Sequence, residues 1–310
     1  MNKKGTAIVF GGSGFLGSHV ADALSDSGVA VRVFDINPSP YIRPNQQLII
    51  GDLMDPVQVY KAIEGCDYVY NFAGIADINE AHNRPIDTAQ LNVLGTLYTL
   101  EGARRAKVSR YIFASTVYVY STRGSFYRTS KQAAERFVET YEESYGLSYS
   151  VLRYGSLYGR RADGRNGIYR LLRQALHDRK IQYSGDGEEL REYIHVSDAA
   201  RASVEILSPE YANQHIILTG NEKLRSKDLV KMVSEILGGI PFEFSGEKVE
   251  GHYQVTPYAF NPKIGKKLVS TFHIDMGQGL IDCMAEIDQA TTRGFHSEDD
   301  WLVQNGKKKI

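Results

Sequence analysis

A chain of 310 residues exceeds one average domain, so a single nucleotide fold with a small appended lobe fits as well as two separate domains. Its 42% hydrophobic and 24% charged content excludes disorder over most of the chain, and a formal net charge of -1 excludes a general pull toward nucleic acid or anionic membrane. Two cysteines, Cys66 and Cys283, are too few for a disulfide scaffold and lack zinc-site spacing, and no apolar run approaches the roughly 18 residues of a membrane span, so a cytoplasmic protein without a metal is expected.

Short apolar runs at 7–10, 30–34, 47–50, 68–71 and 111–114 predict buried strands. Between them, apolar residues at three- and four-residue spacing predict helices over 17–27, 56–64, 85–106 and 126–145. This alternation predicts an α/β fold, a Rossmann-type doubly wound parallel sheet with ligands in the crevice at the strand carboxyl ends. A sixth strand is expected over 148–154, after which the pattern turns irregular. Residues 192–196 read as a return strand, Ser197 as the cap of the helix that follows, and Ser226 as the cap of a helix over 227–237. The expected division is a dinucleotide-binding domain over 1–155, with return segments near 192–220, and a smaller mixed α/β substrate lobe over 156–310. The tail 297–310 is expected to fray, with Trp301 anchoring part of it.

The first strand runs into Gly11-Gly12-Ser13-Gly14-Phe15-Leu16-Gly17 and then a helix. A tight turn, a side-chain-free approach to pyrophosphate and close helix packing each exclude a Cβ, so glycines at 11, 14 and 17 beside the amides of Phe15 and Leu16 point to a dinucleotide site. Asp35 closes the second strand 18 residues beyond Gly17, where a carboxylate accepts hydrogen bonds from ribose hydroxyls and repels a 2′-phosphate, which favours NAD over NADP. Gly51-Asp52-Leu53 puts a second carboxylate after strand three, either near the adenine or in plain turn chemistry.

Tyr127 and Lys131, four residues apart at the head of a predicted helix, share one helical face. An ammonium near a phenol lowers its pKa, so that the phenolate can take a hydroxyl proton as hydride leaves. A Tyr/Lys spacing of this kind is common in a chain with 20 tyrosines and proves little alone. Ser115 and Thr116 strengthen it, because hydroxyls placed just after the strand 111–114 emerge at the carboxyl end of the sheet.

The loop GGSGFLG, Asp35, GDL at 51–53, NFAG at 71–74, NVLGT at 92–96, FAST at 113–116, YRTSK at 127–131 and REYIHVSD at 191–198 resemble the extended short-chain dehydrogenase/reductase family. The resemblance is to its NAD-dependent nucleotide-sugar epimerase/dehydratase branch, of the UDP-glucose 4-epimerase-like kind, and spans most of the chain. It implies a catalytic group of Thr116, Tyr127 and Lys131, a cofactor lined by Asn71, Phe72, Ala73 and Gly74, support from Asn92, and Tyr154 lying over the cofactor. It further implies Ser156 and Arg191 as contacts of a nucleoside-diphosphate sugar, Arg191 as a guanidinium clamp on phosphate. His195 looks structural in this pattern. Helices 85–106 and 126–145 are expected to form a four-helix bundle in a homodimer. Two departures bear on substrate. Only eleven positions separate Thr116 from Tyr127, filled by Tyr118, Tyr120, Ser121, Arg123 and Ser125, and Val117-Tyr118 stand where sugar 4,6-dehydratases of the family carry Asp-Glu, which disfavours dehydration. A nucleotide-sugar epimerase acting through a 4-keto intermediate is the expectation, with a dehydrogenase or ketoreductase that releases its product, or an idle NAD-binding regulator, as rivals.

Overall fold

The structure is a computed structural model that describes residues 5–246, 252, 254–257, 266–268 and 273–292. The tail 297–310 and Trp301 lie outside the described residues. In chain order the first half comprises β1 (Thr6–Phe10), α1 (Phe15–Asp26), β2 (Ala30–Asp35), β3 (Gln46–Ile50), α2 (Pro56–Ile63), β4 (Tyr68–Asn71), α3 (Ile78–Asn83) and α4 (Pro85–Ala89). A π-helical turn, Gln90–Leu94, leads into α5 (Gly95–Ala106), followed by β5 (Arg110–Thr116), a 3-10 turn (Val117–Tyr120), α6 (Ser125–Tyr145) and β6 (Tyr149–Tyr154). The remainder holds β7 (Ser156–Tyr158), α7 (Gly167–Asp178), β8 (Ile181–Tyr183), β9 (Leu190–Arg191), β10 (Tyr193–His195), α8 (Val196–Glu205), β11 (Gln214–Leu218), β12 (Leu224–Arg225), α9 (Ser226–Ile236), β13 (Phe242–Phe244), β14 (Lys266–Lys267) and α10 (Met276–Thr292).

Among the described residues the main sheet runs β14-β11-β6-β5-β4-β1-β2-β3 and every pairing in it is parallel. This is the Rossmann-like α/β fold that the alternating pattern predicts. Strand order reverses beside β1, whose neighbours are β2 on one side and β4 on the other, so the switch-point crevice opens at the carboxyl ends of β1 and β4. The central strands β1, β4, β5 and β6 are buried on both faces, as their continuous apolar runs require, while the edge strand β3 is partly exposed. One face packs Val9, Val31, Ile112 and Leu152 under α1 and α8; the other packs Ile8, Val69, Phe113 and Val151 under α2, α5 and α6. Full burial of each such side chain contributes about 1.5–3 kcal/mol. A third apolar cluster, with Leu172, Val230, Val233 and Leu280, joins α7, α9 and α10.

Several local expectations change. The helix expected over 85–106 runs without interruption, but widens into a π turn at Gln90–Leu94, within which Asn92 is buried. Ser197 lies inside α8; the cap is His195, whose Nδ1 accepts from the Ser197 N–H at 3.3 Å. Ser226 likewise begins α9, and its hydroxyl is 3.5 Å from the Glu189 carbonyl instead of capping. The return strand is shorter than 192–196 and pairs with β7 outside the main sheet, which the chain rejoins only at β11. No described helix is long and apolar enough to cross a membrane.

Candidate functional site

The glycine loop is built by backbone crowding. Gly11 takes φ +73°, donates its N–H to the Phe34 carbonyl at 2.9 Å, and lies so near the chain after β4 that a Cβ would stand 2.7 Å from the Ala73 nitrogen. A Cβ on Gly17 would be 2.3 Å from the Gly11 oxygen, so both positions demand glycine. Gly14 is the N-cap of α1 and offers no side chain to its first-turn amides, and no acidic residue follows in that turn. The amides of Phe15 and Leu16, half-buried residues at the helix head, therefore suit an anion at the positive end of the helix dipole. This cradle, which any larger residue would fill, fits the pyrophosphate of NAD.

Asp35 ends β2 with one carboxylate oxygen accepting the Ser13 N–H and the other the Asn37 N–H, each at 3.0 Å. The carboxylate is thus fixed beside the glycine loop with acceptor capacity for ribose hydroxyls. The two cations nearest in sequence are engaged elsewhere. Arg32 donates to the carbonyls of Ala62 and Glu64, and Arg43 pairs with Asp22 and Asp26. Neither is directed at a 2′-phosphate.

The segment after β4 is held by Asn92. Its amide accepts the Ile75 N–H at 2.8 Å and donates to the Ile75 carbonyl and to the Ser130 hydroxyl, both at 2.9 Å. Gly74 has φ +140°, and a Cβ there would be 2.3 Å from Asn92 Oδ1. Asn92 therefore clamps the 72–75 turn to α6, a support role for the crevice that Phe72, Ala73 and Gly74 border. Asn71 departs from expectation. It is 1% exposed and donates to Thr96, Thr99 and Tyr111 behind the sheet, so its side chain does not line the crevice.

At the end of β5, alternation sends two neighbouring hydroxyls to opposite faces. Both Ser115 and Thr116 belong to the strand instead of following it. Thr116 Oγ1 accepts the Tyr118 N–H at 3.2 Å, while Ser115 donates to Glu135 Oε1 at 2.5 Å. The Ser115 hydroxyl is thus committed under α6, and only its backbone is left to border a cofactor. Tyr127 lies in the first turn of α6 and Lys131 one turn later. Lys131 Nζ donates to the Ala114 carbonyl at 2.8 Å and sits 4.8 Å from the Phe113 ring centroid. Burial pulls its pKa down to about 8, against the opposing charge of Glu135, which leaves the ammonium mostly charged at neutral pH. The Ser130 hydroxyl donates to the Tyr127 carbonyl while accepting from Asn92, so this turn is braced from two sides.

Other expected site residues sit as follows. Asp52 is exposed and accepts the Met54 N–H at 2.8 Å, the turn alternative; Leu53 is buried against Gly95 of α5, so its side chain serves packing. Tyr154 is buried with its hydroxyl 2.6 Å from Ser203 Oγ and its ring 6.2 Å from that of Phe72, directed into the core. Ser156 is half-buried on β7, and Arg191 is half-buried on β9. His195 is the cap of α8, edge-on to Tyr158.

Sequence reasoning missed a buried polar network behind the β5 terminus. Glu135 accepts from Arg153 Nη2 at 2.6 Å and Nε at 3.0 Å, His215 Nε2 lies 2.9 Å from Glu139, and Arg153 reaches the Tyr120 hydroxyl at 2.5 Å. A signal existed: residues 127, 131, 135 and 139 are all titratable and repeat at four-residue spacing along one face of α6.

The NAD dependent epimerase/dehydratase family matches residues 7–218, more than half of the chain. A putative UDP-glucose 4-epimerase of Methanocaldococcus jannaschii is 26% identical over 263 residues, covering 78% of this chain and 84% of that protein. UDP-glucose 4-epimerase of Thermotoga maritima, solved with UDP-glucose, superposes with a TM-score of 0.79 at 23% identity, covering 92% of this chain and 99% of the other. UDP-glucose 4-epimerase of Thermus thermophilus, solved with NAD, gives a TM-score of 0.78 at 24% identity over 92% and 99% of the two chains.

Proposed function

The chain belongs to the NAD dependent epimerase/dehydratase family, and from that premise we propose that it is a nucleotide-sugar epimerase acting through a transient 4-keto sugar. The observation that supports this reading is that β1, β2 and β5 run parallel in one sheet, so the Gly11–Gly17 loop, Asp35 and Thr116 all stand at its carboxyl edge, with Lys131 of α6 bonded to the Ala114 carbonyl of β5. Similarity to UDP-glucose 4-epimerases supports it.

NAD, held by the glycine loop and Asp35, supplies a reversible two-electron acceptor. Tyr127 takes the proton of the C4 hydroxyl as hydride leaves C4, which turns the alcohol into a ketone; the same phenol returns the proton when the ketone is reduced from its opposite face. The Lys131 ammonium, one turn along α6, favours the phenolate, and Thr116 holds the reacting oxygen by its hydroxyl. Ser156 and Arg191 bind the nucleoside-diphosphate end of the substrate, with the part of the chain from 156 onward serving as the substrate lobe. A homodimer through α5 and α6 completes the reading, since Leu94, Phe137 and Tyr145 are exposed at or beside those helices; light scattering at twice the chain mass is the expected result. The setting is cytoplasmic, in keeping with two buried free cysteines.

Proton NMR of UDP-, dTDP-, GDP- and CDP-sugars with catalytic enzyme and no added cofactor tests the function. New anomeric signals without lasting absorbance near 340 nm are expected. Stoichiometric NADH with a released keto sugar would make the protein a dehydrogenase, and no reaction across the panel would remove the epimerase reading. For the cofactor, Asp35→Ala is expected to lower the preference for NAD over NADP, read as the ratio of their dissociation constants; an unchanged ratio would place the ribose contact elsewhere.

A further inference from the structure

The two tyrosines that follow Thr116 at close range go different ways. Tyr120 turns into the protein, its hydroxyl bound by Arg153 and its ring 4.7 Å beneath that guanidinium. Tyr118 turns toward the site. Its ring stands edge-on to Tyr127 with centroids 6.3 Å apart, and its hydroxyl lies 2.6 Å from Nδ1 of His252, a residue 134 positions later in the chain. The His252 ring is itself edge-on to Tyr118 at 6.1 Å. Burial, then the positive charge of Arg191, hold the His252 imidazole below its ordinary pKa; Arg170 acts the same way and Asp77 opposes them. The imidazole is therefore held toward its neutral form. Contacts thus lead from Tyr127 through Tyr118 to His252.

We propose that Tyr118 and His252 are specificity-determining substrate contacts, a hydrogen-bonded wall on which the sugar ring lies between Tyr127 and Arg191. The proposal rests on the nucleotide-sugar reading of this site. A sugar hydroxyl donates and accepts, and so do a phenol and a neutral imidazole, whereas a carboxylate only accepts and an ammonium only donates. The aromatic rings offer the apolar face of a sugar an apolar surface at small entropic cost. The wall carries no charge of its own, so it sorts substrates by hydroxyl position and leaves charge recognition to Arg191. One half of the pair comes from the short loop after β5 and the other from a segment far along the chain, so the wall exists only in the folded protein.

The test is calorimetric titration of the full, NAD-loaded chain with UDP-, dTDP-, GDP- and CDP-glucose, and with the matching nucleoside diphosphate of whichever binds. Tyr118→Phe and His252→Ala are each expected to weaken the nucleotide sugar about five- to tenfold, as loss of one neutral hydrogen bond does, and to leave the nucleoside diphosphate within about twofold. His252→Asn, which keeps a donor and an acceptor near the place of Nδ1, is expected to recover most of the loss. Bound NAD and an unchanged melting temperature identify variants that fold. Folded variants with unchanged sugar affinity, or with equal losses for sugar and diphosphate ligands, would overturn the wall. Wild-type protein that binds none of the four nucleotide sugars would overturn the nucleotide-sugar reading itself, and the wall with it.

Discussion

Tyr127→Phe is expected to cut kcat by a factor of about 10²–10⁴, the range of general acid–base contributions, while the purified variant retains its NAD. The substitution removes one oxygen from a residue whose backbone is braced by Ser130 and Asn92, so the fold of the α6 head is undisturbed. Loss should fall on kcat far more than on KM, because the proton is transferred only in the transition state. Undiminished turnover would show that another group takes the proton, and loss of the cofactor along with activity would make the tyrosine a binding residue instead.

The second large effect lies away from the chemistry. Glu135 is 6% exposed, and two hydrogen bonds join it to Arg153, itself 5% exposed, with His215 close by. Burial alone would raise the Glu135 pKa, but Arg153 and His215 outweigh it and bring it from 4.5 to about 2. Glu135→Ala leaves the Arg153 guanidinium buried without its counter-charge, at an expected cost of about 3–5 kcal/mol in unfolding free energy. The double variant Glu135→Leu/Arg153→Met is expected to lose much less, because it removes both charges together. A lowered carboxylate pKa contributes stability above the unfolded value near 4.5, and that contribution is lost as pH falls toward about 2. Denaturant melts of wild type and double variant across that window are therefore expected to converge as the acid limit is approached. Equal stability of Glu135→Ala and wild type at neutral pH would contradict the account.

Much of this was legible in the sequence because it depends on local rules. Buried parallel strands must be continuously apolar, so β1, β2, β4 and β5 could be placed to within a residue or two. Glycines crowded by backbone can be nothing else, and Gly11 and Gly17 follow from that. What could not be read depends on contacts across the chain. The direction of Ser115 was hidden because strand alternation assigns faces only once the strand end is known, and β5 runs two residues past its apolar run. The cap of α8 was misplaced because a serine is the commoner cap, yet here the preceding imidazole does that work. The π turn at Asn92 has no periodic signature, and the pairing of Tyr118 with His252 joins residues that no short motif connects. Helices α7 and α10 were legible but passed over: Ile168, Leu171, Leu172 and Ala175, and likewise Leu280, Cys283, Met284 and Ile287, stand at the three- and four-residue spacing of an amphipathic helix and are buried.

The central claim is that hydride leaves and returns to C4 of a bound nucleotide sugar while Tyr127 handles the hydroxyl proton. Its most direct test is turnover of the accepted nucleotide sugar carrying deuterium at C4, in ordinary water, followed by NMR. The account predicts an epimer that keeps its deuterium at C4, since the hydride never mixes with solvent protons. An epimer carrying solvent hydrogen at C4 would contradict it.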